Sequence, residues 1–324
     1  ATDLDVTISC GVPAEVGRPG ATTLPAKRLF SIVRELSIGD VQVEVDDKND
    51  CSLAVGPSFF KLRGLPAEDF PPVPSFGDQP RIVLPQDKIK GMLRRTAFAV
   101  SVDEARYVLN GLFFCLKEHK LTMVATDGRR LALTDEEVEV EAEKQAEFII
   151  PSKALAELTR LLQDKGQVEL TFTENQAAFT LSDEKGFKVL VITKLVDGTY
   201  PNYRQVIPGE SEERVPLPRE EFQQALRRTE IMTSEKNNSV RLMFEHNRLT
   251  ITANSPEVGE AAETMAVNYK GKDLAIAFNP GYLIEALKAL DDEEVYLELT
   301  NEFSPGVLKT NGPFLYVIMP MRMG

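Results

Sequence analysis

The side chains with the widest chemical repertoire are scarce in this 324-residue chain, and their spacing limits what they can do. Its two histidines, His119 and His246, each follow a Glu in a stretch that reads as a turn between strands. Neither has a second ligand at metal-site spacing or a nucleophile close by in sequence, so both read as turn residues. Gly11, Gly17 and Gly20 do not make the G-x-G-x-x-G or Walker patterns whose backbone amides cradle phosphate. Asp291, Asp292, Glu293 and Glu294 follow a helical stretch, where a charge run is ordinarily solvated. Cys10, Cys51 and Cys115 are odd in number, far apart and without a C-x-x-C pair. That predicts buried thiols in a reducing cytoplasm and no disulfide framework. No catalytic group, metal site or cofactor site emerges from these residues.

The chemistry that does recur is basic. Lys27 and Arg34, Lys153 and Arg160, and Lys88 and Arg95 are each seven residues apart in helix-like segments, and Lys90 and Arg94 join the last pair. Seven residues is close to two helical turns, so each pair stacks along one stripe. In the last third the pattern weakens, with Arg227 and Arg228 offset by Glu220, Glu221 and Glu230. The whole chain carries 50 acidic against 37 basic residues, a net charge of −13, which excludes a general attraction to nucleic acid. Basic stripes gathered on one surface would read phosphates without reading bases. No aromatic residues interleave with them, which favours duplex backbone over single strands.

These stripes sit on repeated elements. PAKRLFSIVREL, PSKALAELTRLL and PGYLIEALKAL open at Pro25, Pro151 and Pro280, 126 and 129 residues apart. TDLD, TDGRR and TANSP open at Thr2, Thr126 and Thr252, 124 and 126 apart. A third marker, LPQDKIKGMLRRTAFAVS and LPREEFQQALRRTEIMTS, occurs only at Leu84 and Leu217. Three units of about 125 residues follow, the first predicted to lack an opening helix and the strands after it. Each full unit reads helix, strands, second helix, strands. In the middle unit these are a helix over 86–98, strands in YVLNGLFFCLK and LTMVATDGRRLALTD broken by Asn-Gly and Asp-Gly turns, the Pro151 helix, and strands in QVELTFTE, QAAFTLSD and FKVLVITKLV. Strands that adjoin in sequence predict hairpins, antiparallel sheets and an α+β class. Pro-rich or charged stretches at 69–80 and 208–216 predict units over 1–80, 81–212 and 213–324. Leu29, Phe30, Ile32, Val33 and Leu36 are predicted to form a core face. No apolar run reaches the roughly 18 residues of a membrane span, and ATDLDVTISC does not read as a signal peptide.

The repeats, with TDGRRLA (126–132), KLVDGTYPNYRQVIP (194–208) and the terminal YVIMPMRM (316–323), resemble the bacterial sliding clamp family, the beta subunit of DNA polymerase III. The resemblance implies an α+β DNA clamp fold of three tandem domains, with antiparallel sheets outside and helices lining the hole of a head-to-tail homodimeric ring. It implies a non-enzymatic, cytoplasmic processivity factor with no cofactor and no membrane. It also implies an incomplete first domain, with about 45 residues of the family pattern ahead of Ala1. The helix stripes would face duplex DNA through Lys27, Arg34, Lys88, Arg94, Arg95, Lys153, Arg160 and Arg227. Replicative and translesion polymerases, the clamp loader, and mismatch-repair and ligase proteins would dock short motifs in a pocket. By the resemblance its lining is Leu109, Thr126, Gly128, Arg129, Arg130, Leu131, Pro201, Val206, Phe303, Pro305, Val317, Ile318, Met319, Pro320, Met321, Arg322 and Met323. The ring interface would set Arg28, Ile32, Leu36, Lys61 and Leu62 against Ile231, Met232, Glu257, Glu260 and Glu263. Gln205 stands where Arg is expected at the pocket rim, and Pro57 and Phe59 stand where some members have arginines.

Overall fold

The computed structural model describes all residues except 38, 140–144, 210, 212, 235–237 and 323–324. The first unit contributes β1 (Val6–Cys10), α1 (Ala26–Glu35), β2 (Gln42–Val45), β3 (Asp50–Val55) and β4 (Ser58–Arg63). The second runs β5 (Ile82–Pro85), α2 (Gln86–Thr96), β6 (Gly111–Lys117), β7 (Lys120–Thr126), β8 (Arg130–Glu137), β9 (Ala146–Pro151), α3 (Ser152–Leu161), β10 (Gln167–Phe172), β11 (Gln176–Ser182) and β12 (Lys188–Lys194). The third repeats that order with β13 (Glu213–Pro218), α4 (Arg219–Glu230), β14 (Val240–Glu245), β15 (Arg248–Ser255), β16 (Gly259–Ala266), β17 (Leu274–Phe278), α5 (Pro280–Lys288), β18 (Glu294–Leu299), β19 (Gly306–Lys309) and β20 (Phe314–Ile318).

The helices form where apolar residues recur at helical spacing behind a proline. In α2, Ile89, Met92, Leu93 and Thr96 are buried, and in α4 Phe222, Ala225, Leu226 and Thr229 take the matching positions. Helix α5 starts with Pro280 just inside it, where a missing N–H costs nothing, and Asn279 as its cap accepts from the Gly281 amide at 3.0 Å. Strand residues alternate between two layers. Leu112, Phe114, Leu116, Leu121, Met123 and Ile150 join the core under α2 and α3, while Phe113, Val124, Leu131, Ile149 and Val317 form a separate cluster on the other side of the sheet. Helices therefore cover one face, and the second cluster lies on the outer face.

Among the described residues all strand pairings are antiparallel, and the units are joined by their sheets. The order β13-β18-β19-β20-β8-β7-β6-β9 fuses half of the third unit to half of the second through the β20–β8 pair. The order β1-β12-β11-β10-β5 joins the first unit to the second through the equivalent β1–β12 pair. The same two edge types are left at the ends of the chain: β4 borders the sheet β2-β3-β4 and β16 borders β16-β15-β14-β17.

Four expectations change. The apolar face of α1 is not a core face, because the helix has no buried residue, and Phe30 and Val33 are 63% and 53% exposed. Helices α2 and α3 pack against each other and against their sheets, whereas among the described residues no other helix packs substantially against α1. Asn110–Gly111 is the exit from a 3-10 turn over Glu104–Leu109, and the β6–β7 hairpin turns instead at Glu118 and His119, both with positive φ. The segment 208–216 already contains the start of β13, whose Val215 is buried in the strand pairing with β18. Of the three thiols Cys51 is buried, Cys115 is half-buried and Cys10 is exposed, since Cys10 is the last residue of β1, on the face of Val6 and Ile8 but at the exposed end of the strand.

Candidate functional site

The β20–β8 junction builds a groove on the outer face. Val317 sits opposite Leu131 and Leu315 opposite Leu133, and strand alternation turns these four side chains outward together. Val124, Phe113 and Ile149 extend the floor from the neighbouring strands. The segment that connects the second and third units lies across them: the Tyr200 ring stacks on Phe113 with centroids 5.1 Å apart, and Tyr203 follows at 6.0 Å. Burial pushes the Tyr200 phenol well above its ordinary value, so it stays neutral. Exposed apolar side chains flank these segments, Val206 at 53% beside Ile207 and Met319 at 45% just after β20, and Phe303, before β19, is 80% exposed. Apolar groups left in water beside a buried apolar floor mark a surface that gains by being covered.

The rim is shaped by the turn after β7. Thr126 Oγ donates to the Arg130 carbonyl at 2.6 Å and accepts from the Gly128 amide at 3.1 Å. One Asp127 carboxylate oxygen accepts from the amides of Arg129 at 2.9 Å and Arg130 at 3.1 Å. Gly128 has φ +83°, a conformation that favours glycine, and a Cβ there would displace the Arg106 guanidinium, which lies 2.6 Å from that position. The Arg129 carbonyl then accepts from the Met319 amide at 2.9 Å, tying this turn to the chain that leaves β20.

Of the pocket residues expected from sequence, Leu131 and Val317 are floor, Leu109 is half-buried against it, and Thr126, Gly128 and Arg129 form the turn. Pro201 is exposed on the connecting segment and Gln205 follows it at the surface. Pro305 and Pro320 are half-buried, and Arg322 is exposed. Met321 is half-buried and its amide donates to the Ala277 carbonyl at 2.8 Å. Met323 lies outside the described residues. Ile318 and Arg130 are not part of this outer floor. They face each other across the β20–β8 pair on the helix side, where Ile318 is fully buried in the core and Arg130 is held among Phe98, Tyr282 and Glu285. The reason is strand periodicity, which sends the neighbours of Val317 and Leu131 to the opposite face. Sequence reasoning missed Phe113, Val124, Tyr200, Tyr203 and Ile207. The signal available for three of them was the aromatic-rich segment YPNYRQVIP itself.

On the helix side, Lys27, Arg34, Arg94, Lys153, Arg160 and Arg227 are exposed, and Lys88 and Arg95 are half-buried. Many of these cations already have carboxylate partners in the chain. Arg94 pairs with Asp291, Lys153 with Asp3, Arg160 with Glu157 and Arg34 with Glu35, while Lys88 donates to the Glu137 carbonyl at 2.6 Å. The hydrogen bond from Lys153 holds the Asp3 carboxyl at about 2, and that from Arg94 lowers Asp291. Among the described residues no group of three or more His, Cys, Asp or Glu side chains is placed to hold a metal ion, and no helix is long and apolar enough to cross a membrane.

Three sequence profiles cover the chain in order: the N-terminal, central and C-terminal domains of the DNA polymerase III beta subunit match residues 1–74, 83–202 and 204–322. The chain belongs to the DNA polymerase III beta subunit family. The beta sliding clamp of Chlamydia pneumoniae is 38% identical over 323 residues, spanning 100% of this chain and 87% of that protein. The Bacillus subtilis clamp is 31% identical over 335 residues, and its crystal structure superposes with a TM-score of 0.91, covering 100% of this chain and 87% of that one. The clamp of Bartonella birtlesii, solved bound to griselimycin, is 34% identical with a TM-score of 0.92, again covering 100% and 87%. The three-domain clamp fold expected from sequence is the fold observed. The N-terminal domain is matched over residues 1–74, where among the described residues the first unit has one α-helix, α1, against two in each of the other units.

The residues expected at a beta-subunit ring interface fall on two separate surfaces of this chain. Arg28, Ile32 and Leu36 lie on or just after α1, and Lys61 and Leu62 lie on β4. Ile231 and Met232 follow α4, Glu257 lies in the turn before β16, and Glu260 and Glu263 lie on β16. Ile231 is 71% exposed, Lys61 bridges to Asp46 and Asp50, and Glu263 takes a bidentate contact from Arg228 at 2.8 Å.

Proposed function

We propose that two copies of this chain pair head to tail into a ring that encircles duplex DNA and serves as the sliding clamp of a replicative polymerase. The observation that carries this reading is the repeated junction. The second strand of a hairpin in one unit pairs with the last strand of the next unit, as β1 with β12 and β8 with β20. By the same rule β16 takes the last strand of the unit that follows, which is β4 of a second copy, and two such contacts close a ring. Lys61 and Leu62 on β4 would then meet Glu260 and Glu263 on β16, basic against acidic beside the apolar Ile231 and Met232.

Such a ring holds DNA by topology, so its contacts can be weak and blind to sequence. That fits cations on the helix side that are already shared with carboxylates. The chain would contribute no catalytic group of its own. The outer groove would take short peptide segments with apolar anchors from polymerases, the clamp loader and repair proteins, its exposed Met319 adapting to different side chains. The test is retention on circular DNA after loading by the cell's own clamp loader. The clamp should stay on closed circles through a high-salt wash and slide off when they are cut once. Equal retention on circular and linear DNA would overturn the reading.

A further inference from the structure

The turn that rims the groove occurs twice in this chain, and the two copies differ in one buried side chain. In the first unit Thr2, Asp3 and Leu4 repeat the bonds of Thr126, Asp127 and Gly128: Thr2 Oγ donates to the Val6 carbonyl and accepts from Leu4, and Asp3 accepts from the amides of Asp5 and Val6. At Val6 the first junction has a buried apolar residue, and the second oxygen of Asp3 goes to Lys153 of the second unit. At the equivalent place the second junction has Arg130, whose side chain is only 8% exposed. Its Nε donates to Asp127 at 3.0 Å, one terminal nitrogen donates to the Phe98 carbonyl at 2.8 Å, and the other donates to Glu285 on α5. The guanidinium lies 4.4 Å from the centre of the Tyr282 ring, and the Tyr282 carbonyl accepts from Tyr316 of β20 at 2.9 Å. One planar group therefore ties together the segment after α2, the rim turn and the α5–β20 layer of the third unit.

We infer that Arg130 is a positioning residue for the outer groove: it does not line the floor, but fixes the 126–129 turn and α5 against each other so that the groove between the second and third units is preformed. This rests on reading the groove as the docking site. The physical reason is reach and planarity. A guanidinium can satisfy three partners in different directions while stacking on an aromatic ring, and a lysine at the same position cannot. Breaking one arm leaves the turn without its link to the third unit, and with it the Arg129 carbonyl that holds the Met319 amide. A preformed rim matters because ordering it at the moment of binding would subtract from affinity.

The test uses the full chain, a fluorescent peptide carrying the clamp-binding motif of the cell's own replicative polymerase, and three variants, Arg130→Met, Arg130→Lys and Glu285→Gln. Glu285 is on the helix side of the sheet, 51% exposed and away from the groove floor. A strut predicts that Glu285→Gln weakens the peptide several-fold, that Arg130→Met weakens it about tenfold, and that the double variant is no worse than Arg130→Met, because both remove one link. Arg130→Lys should restore only a small part of the affinity. Weak binding in Arg130→Met with wild-type affinity in Glu285→Gln would overturn the inference, because it would mean that Arg130 touches the peptide itself. Hydrogen exchange on the peptide-free variants gives an independent reading. The Arg129 and Met319 amides should exchange faster in Arg130→Met and Glu285→Gln than in wild type, and unchanged protection there would also overturn it. If wild type binds no peptide, the docking reading fails, while the exchange data still decide whether Arg130 is a strut.

Discussion

Leu4 carries the clearest local strain in the molecule. Its φ is +76°, in the region where the equivalent turn of the second unit has Gly128 at +83°. A side chain in that region costs roughly 1 to 2 kcal/mol, and glycine returns part of the gain through its freer unfolded chain. Leu4 is 64% exposed, so its removal sacrifices little burial. Leu4→Gly should therefore stabilise the chain by about 0.5 to 1 kcal/mol in denaturant melts. The neighbouring Asp3 sets a pH dependence. Its carboxyl is near 2 in the fold against an ordinary 3.8, chiefly through the hydrogen bond from Lys153. A depressed carboxyl contributes its stability in full above its ordinary value and loses it as pH falls through the folded one. The first junction should accordingly loosen between about pH 4 and pH 2, read as rising exchange at the Val6 amide, and Lys153→Ala should move that loosening to higher pH. At the groove, Met319→Ala with Met321→Ala should weaken the polymerase peptide by about 1 to 2 kcal/mol for each side chain that becomes buried on binding. Unchanged affinity would remove these methionines from the docking surface.

At the scale of elements, the helices differ in what holds them down. In α2 five residues are buried, in α3 three, and in α1 none. Among the described residues the first unit's own core after β1 is limited to Cys51, Leu53 and Val55 on β3. Each buried aliphatic side chain contributes roughly 1.5 to 3 kcal/mol, so this unit has far less to set against its conformational entropy than the other two. Hydrogen exchange on the isolated chain should be fastest over α1 and β2–β4, with the second and third units protected. Uniform protection would show that this face is covered in solution. Helix α3 offers a separate test of the proposed DNA-facing surface. Replacing Lys153 and Arg160 by Ala should weaken binding to duplex DNA equally for all sequences and lower the log–log salt slope by about one unit for each phosphate no longer neutralised.

For the whole molecule the decisive feature is that two sheet edges of the type used at the internal junctions, β4 and β16, have no strand partner among the described residues. An open edge strand is a template for pairing, and in this fold both β4 and β16 have the edge type that pairs at the internal junctions. Ile231 is exposed next to one of them, so a charge placed there costs the single chain little. In a closed ring the same charge would sit in the apolar centre of the interface. Ile231→Asp should therefore turn the sedimenting species from dimer to monomer while leaving the circular dichroism spectrum unchanged. A dimer that persists would place the contact elsewhere.

The sequence by itself determined the three-fold repeat, the antiparallel α+β class, the basic helix stripes and the family. These follow from local rules: proline and helical spacing fix α2 to α5, alternation fixes the strands, and the spacing of Thr2, Thr126 and Thr252 records a unit that folds the same way each time. Even the turn chemistry was local, since Asp3 and Asp127 accept from amides only two and three residues away. Tertiary structure alone decided which side of each junction strand meets which partner. Leu131 and Arg130 are neighbours in one motif, yet one became groove floor and the other a link to Glu285, which is 155 residues away. The same holds for α1, whose apolar face matches a core helix in pattern and is not fully covered, with Phe30 and Val33 exposed and Leu29, Ile32 and Leu36 half-buried, because no second helix packs beside it among the described residues. Periodicity reports that a face is apolar, whereas the long-range strand pairing that assembles the sheets decides what covers it.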